Sequence, residues 1–79
     1  MQRTTSITDK ELQCFPIVEF DYPYSETGEM KTRYVRVTTA DQRYIKGYEL
    51  VTPISKAEGE PKTFARTRMA RNSVFLISF

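Results

Sequence analysis

The chain has 79 residues, 12 lysines and arginines against 10 acids, a net charge of +2, one cysteine and no histidine. That length supports one domain, taken as residues 1–79, with a single thin core and little room for a deep substrate cleft. Without histidine the commonest general base and the commonest metal ligand are both missing, and one cysteine permits neither an internal disulfide nor a structural zinc site.

The charge is unevenly distributed. Asp9 to Glu29 carries six acids and one lysine, Lys31 to Lys46 carries five basic residues and one acid, and Lys62 to Phe79 carries four basic residues and no acid. Such asymmetry predicts a surface acidic at one end and basic at the other, unless basic strands pair with acidic ones. No basic segment followed by an apolar run opens the chain, and no apolar run approaches the roughly 20 residues that span a bilayer. The expectation is a protein with no membrane contact, in a reducing compartment such as the cytoplasm.

In chain order, residues 1–7 are polar and expected to fray. Thr8-Asp9-Lys10-Glu11 matches a capping box, in which a threonine oxygen accepts from the third helical amide and the glutamate reaches back. This predicts one short helix over Asp9–Cys14, ended by Pro16. Cys14, between Leu12 and Phe15, reads as a small buried hydrophobe.

Ile17 to Tyr22 alternates with period two: Val18, Phe20 and Tyr22 on one face, Glu19 and Asp21 on the other. Ser25-Glu26-Thr27-Gly28 is a turn, and Met30 to Thr39 a second strand with Val35 and Val37 opposed to Tyr34 and Arg36. Tyr44 to Val51 is a third strand, so residues 17–51 read as a meander. Gly47 inside it marks a bulge or bend. A polar loop from Thr52 to Pro61 precedes a fourth strand, Thr63 to Met69. Arg71-Asn72-Ser73 turns the chain into a fifth, Val74 to Phe79, so apolar that it belongs in the sheet's interior or closes it. The expected fold class is mainly β: a five-stranded antiparallel SH3-like or Sm-like barrel, or a strongly bent sheet, with one short N-terminal helix.

Chemistry for turnover is sparse. Three glycines are scattered at Gly28, Gly47 and Gly59, so no phosphate-cradling loop forms. Glu19 and Asp21 sit about 7 Å apart on one strand face, a spacing that reads as a solvated surface pairing across the hairpin with Lys31, Arg33 or Arg36. The chain therefore reads as a binding module with no catalytic residues, no metal and no cofactor.

The informative pattern is aromatic and cationic residues interleaved on strands two to four. Met30, Thr32, Tyr34 and Arg36 share one face of the second; Tyr44, Lys46 and Tyr48 one face of the third; Phe64, Arg66 and Arg68 one face of the fourth. Flat rings beside guanidinium and ammonium groups stack bases and neutralise phosphates, which suits single-stranded nucleic acid or a nucleotide. The same residue types anchor protein interfaces. The ligand-binding residues read from this pattern are Tyr34, Arg36, Tyr44, Lys46, Tyr48, Arg66 and Arg68.

The runs Val18-Glu19-Phe20-Asp21-Tyr22, Arg33-Tyr34-Val35-Arg36-Val37, Tyr44-Ile45-Lys46-Gly47-Tyr48-Glu49 and Phe64-Ala65-Arg66-Thr67-Arg68-Met69, with the Gly28 turn, resemble the WYL domain over residues 17–69. The resemblance implies an Sm-like small barrel that binds ligands, often nucleic acid, as in bacterial transcription regulators and defence proteins. The namesake tripeptide falls on Arg43-Tyr44-Ile45, with arginine for tryptophan. In the later motif Phe64, Arg68 and Met69 match, while Ala65 stands where an arginine belongs. Tyr44 and Arg68 are the positions the resemblance carries over. A free-standing version without a helix-turn-helix looks like a small accessory or phage-encoded protein that modulates a host protein in the host cytoplasm. An oligomerising structural subunit is a third reading, suggested by the apolar C-terminal strand; the oligomeric state is left open.

Overall fold

The computed structural model describes residues 2–4, 16–24, 26–57, 59–70 and 74–78. They form six strands: β1 (Gln2–Thr4), β2 (Ile17–Pro23), β3 (Met30–Ala40), β4 (Tyr44–Leu50), β5 (Lys62–Ala65) and β6 (Phe75–Ser78). One turn of 3-10 helix, Arg66–Arg68, follows β5. All strand pairs are antiparallel, in the order β1-β6-β2-β3-β4-β5. The expected meander is present, and the C-terminal run lies inside the sheet between β1 and β2. The expected helix over Asp9–Cys14, Cys14 itself and the turn at residues 71–73 lie outside the described residues. Gln2–Thr4, within the stretch expected to fray, pairs instead with β6.

The sheet does not close into a barrel: β1 and β5 are its two edges. It bends instead. The Ala65 N–H donates to the Tyr22 hydroxyl at 3.1 Å, and the Ala70 N–H donates to the Asp21 carbonyl at 3.0 Å. The far end of the sheet thus folds back onto β2 without continuous ladder pairing.

Register explains which side chains meet. Val18 opposes Val35 and Phe20 opposes Arg33, so the alternating apolar residues of β2 and β3 share one inner face. Val18, Phe20, Tyr22, Val35, Val37, Ile45, Phe64 and Met69 form its core. Phe20, Tyr22 and Phe64 meet edge to face, with ring centroids 5.2–6.0 Å apart, the arrangement that ring quadrupoles favour. On the outer face Ile17, Leu50 and Ile77 form a smaller cluster, with Tyr34 packed against it.

The fourth strand is shorter than expected. Phe64 and Met69 are five residues apart, so a continuous strand would place them on opposite faces. Both are buried in one core. The 3-10 turn resolves the conflict, with the Met69 N–H donating to the Arg66 carbonyl at 3.2 Å. Arg66 and Arg68 therefore leave the strand face on which alternation placed them.

Gly47 does mark an irregularity. It opposes Val37, and the register slips between Val37 and Thr39. A Cβ at Gly47 would overlap the Arg36 carbonyl oxygen. Gly28, in the β2–β3 turn, has φ of 74°, a conformation that glycine alone adopts freely.

Candidate nucleic-acid interface

The outer face of β3 and β4 carries the expected strip. Arg36 opposes Tyr48 and Tyr34 opposes Leu50. Because side chains alternate, Tyr44 and Lys46 share the face of Tyr48. The slip at Thr38 keeps this phase, since Thr39 and not Thr38 opposes Lys46. Five predicted residues, Tyr34, Arg36, Tyr44, Lys46 and Tyr48, thus come together. Arg36 and Lys46 are exposed, Tyr44 is 41 % exposed, and Tyr34 and Tyr48 are half-buried. Neither Arg36 nor Lys46 has a carboxylate within ion-pair distance among the described residues.

The turn before β4 fixes the position of Tyr44. The Asp41 carboxylate accepts from the N–H groups of Arg43 and Tyr44, both at 2.7 Å. These two bonds favour the ionised form and hold the Asp41 carboxyl below its ordinary range. The Arg66 guanidinium donates to the Asp41 carbonyl at 2.8 Å, and the Arg66 N–H to the Arg43 carbonyl at 2.8 Å. Arg66 therefore braces the turn that presents Tyr44.

Arg68 is placed elsewhere. Its guanidinium lies 5.3 Å from the centre of the Tyr22 ring, which belongs to the inner face. Tyr44 lines the opposite face of β4, so the structure does not join Tyr44 and Arg68 in one pocket.

Sequence reasoning missed a second cationic group. Arg33 lies on the inner face opposite Phe20, with its guanidinium 5.8 Å from the Tyr22 ring centre and 5.4 Å from that of Tyr24. The Lys31 ammonium stands 5.7 Å from the centre of the same Tyr24 ring. Lys31, Tyr24, Arg33, Tyr22 and Arg68 thus alternate as cation and ring, each contact worth about 0.5–1 kcal/mol at exposed sites. Arg33 is in phase with Val35 and Val37 along β3, and Glu49, which makes its burial tolerable, is 16 positions away. Its carboxylate accepts from Arg33 at 3.0 Å and from Lys62 at 2.8 Å.

The carboxylate pair did not form the solvated surface expected. Glu19 is buried and opposes Tyr34, while Asp21 opposes Thr32 and accepts its hydroxyl at 2.8 Å. Register turns Lys31 and Arg33 to the other face of the hairpin, away from Glu19 and Asp21. Arg33 and Lys31 oppose Phe20 and Tyr22, and Arg36 opposes Ile17.

No family model, no curated protein and no solved structure matches this chain. Among the described residues no helix is long and apolar enough to cross a membrane.

The ion pairs of Glu49 set an acid limit on stability. Burial raises the Glu49 carboxyl, but hydrogen bonds and charge from Lys62 and Arg33 outweigh this and leave it below its ordinary value of 4.5. A carboxyl lowered on folding stabilises the folded state above its unfolded pKa, and that contribution is lost as pH falls through the folded pKa. Glu49→Gln should therefore be less stable than the parent at pH 7, and the difference should shrink once pH falls below the ordinary carboxyl value and through the lowered folded one. Urea midpoints at pH 7 and pH 3 check this; an equal difference at both would show that Glu49 contributes by packing and not by charge.

Proposed function

We propose that this chain is a non-catalytic, WYL-like binding module for single-stranded nucleic acid or a nucleotide ligand. The observation that carries the reading is the strip of Tyr34, Arg36, Tyr44, Lys46 and Tyr48 on one face of β3 and β4, whose two cations have no carboxylate partner among the described residues. Tyr44 and Tyr48 are four positions apart, so they are spaced about 13 Å along the strand. That length spans two nucleotides. The more exposed ring offers a stacking platform, and Arg36 and Lys46 stand where the backbone phosphates of a stacked strand would run. The resemblance of residues 17–69 to the WYL domain supports the same reading at Tyr44. Arg66 supports it by bracing the Asp41 turn, and Arg68 contributes positive field from the inner side and not direct contact.

Titration of a fluorescein-labelled oligothymidine against the full chain tests this. Two phosphate contacts predict a slope of log K against log salt of about −1.4, and Arg36→Ala should reduce its magnitude by about 0.7. Tyr44→Ala should weaken binding by about 1–3 kcal/mol with little change in slope. A flat titration at low salt would sink the proposal. Binding of a protein that resists salt and depends on Tyr44 and Tyr48 would move the reading to a phage-type modulator of a host protein.

A further inference from the structure

We infer a second binding site, at the stepped edge of the sheet beyond the Tyr34 end of the strip, for a short extended acidic segment of a protein partner. It lies where the sheet steps down from β3 to β5. Strand β5 starts at Lys62, opposite Gly47, while β4 continues to Leu50. Strand β4 in turn ends opposite Tyr34, while β3 extends back to Met30. The steps enclose a shallow depression of about 300 Å³ lined by Lys31, Thr32, Glu49, Leu50, Val51 and Lys62.

Backbone groups face into it. The Val37 N–H donates to the Pro16 carbonyl, which sets the alternation of ladder bonds along β3. Val35, Arg33 and Lys31 therefore bond towards β2, and Thr32 turns its N–H and C=O the other way. By the same alternation Glu49 turns its N–H and C=O away from β3, past the end of β5. Among the described residues these groups have no backbone partner, and edge groups of this kind are satisfied by an added strand.

Charge selects the partner. Lys31, Arg33 and Lys62 stand against one carboxylate, Glu49, which Arg33 and Lys62 already match. Lys31 touches only the Tyr24 ring and has no carboxylate partner among the described residues. Val51, which lines the depression together with Lys31 and Lys62, is 90 % exposed. Carboxylates on a bound segment would meet Lys31 and Lys62, and alternate apolar side chains would cover Leu50 and Val51.

The probe is a blocked hexapeptide alternating glutamate and valine, added to the ¹⁵N-labelled full chain. Saturation should shift the Glu49 and Thr32 amides and slow their hydrogen exchange at least tenfold. Lys31→Glu should weaken the peptide at least tenfold, whereas Arg36→Glu, further along β3 and outside the lining of the depression, should leave it unchanged. The amide readout on the parent chain stands whether or not the Lys31 variant folds. Equal binding of a peptide alternating lysine and valine would overturn the charge argument. Shifts confined to Arg36, Tyr44 and Lys46, or displacement of the peptide by oligothymidine, would overturn the second site and leave the nucleic-acid reading standing. Tight oligothymidine binding without any effect of the acidic peptide would likewise defeat only this inference.

Discussion

Phe20→Ala should leave the chain unfolded, or nearly so, at room temperature. Phe20 is fully buried and contacts the rings of both Tyr22 and Phe64. Those contacts tie β2 to β5, strands that are not neighbours in the sheet. Truncating a buried phenylalanine costs about 3–5 kcal/mol, from lost transfer energy and the cavity left behind. A small domain has only about 5–15 kcal/mol in total, and one of this length lies towards the lower end. In a domain of this size each kcal/mol shifts the midpoint by about 4–8 °C. Thermal melts followed by circular dichroism should show the transition lowered by well over 10 °C or lost. Val51→Ala, at a side chain 90 % exposed, should melt within about 0.5 kcal/mol of the parent. A Phe20 variant that melts within a few degrees of the parent would mean that the bend over the inner face is not held by this cluster.

Gly47→Ala should be nearly as damaging, for a different reason. The added Cβ would overlap the Arg36 carbonyl oxygen, lie 2.8 Å from the Arg36 carbonyl carbon and lie 2.9 Å from a Val35 methyl. Two of those three atoms are backbone in the central strand β3, so no rotamer change relieves the clash. Overpacking of this kind costs about 1–3 kcal/mol, occasionally more. Because Arg36 is the residue displaced, oligothymidine affinity should fall in the fraction that stays folded. Gly28→Ala is the comparison: it meets no atom within 4 Å and should lose only the glycine's ease at positive φ, about 1 kcal/mol. Urea titrations of the two variants separate the effects, and a Gly47 variant no less stable than the Gly28 variant would disprove the close approach.

Strand content was legible because it is written in period two. Val18, Phe20 and Tyr22, and then Val35 and Val37, announce their common face, and the observed register places them in one core. The apolar run at the C-terminus announced an interior strand on the same logic, and Ile77 is buried between neighbours. Five of the seven candidate binding residues follow from alternation along β3 and β4 alone. Gly47 pointed to an irregularity at the position where the register slips.

What alternation cannot encode is contact between distant segments, and there the tertiary structure decided. Period two carried Arg66 and Arg68 along a strand, but burying Phe64 and Met69 in one core required a turn between them. That turn sends Arg66 to the Asp41 carbonyl and Arg68 to the Tyr22 ring. Glu19 alternates as a surface residue, yet it is buried beside Tyr34, because the outer face has an apolar cluster of its own. Arg33 alternates as a core residue, and the carboxylate that compensates it comes from β4, 16 positions on. Whether the sheet closed or stayed open was also beyond local pattern. Closure depends on the two edge strands meeting in register, and the bend is fixed by two long-range hydrogen bonds to Tyr22 and Asp21. Side-chain periodicity thus determined the strands and their faces, because it acts between neighbours along the chain. The open bent sheet, the redirected arginines and the stepped edge beside Lys31 depended on packing between residues that the sequence holds far apart.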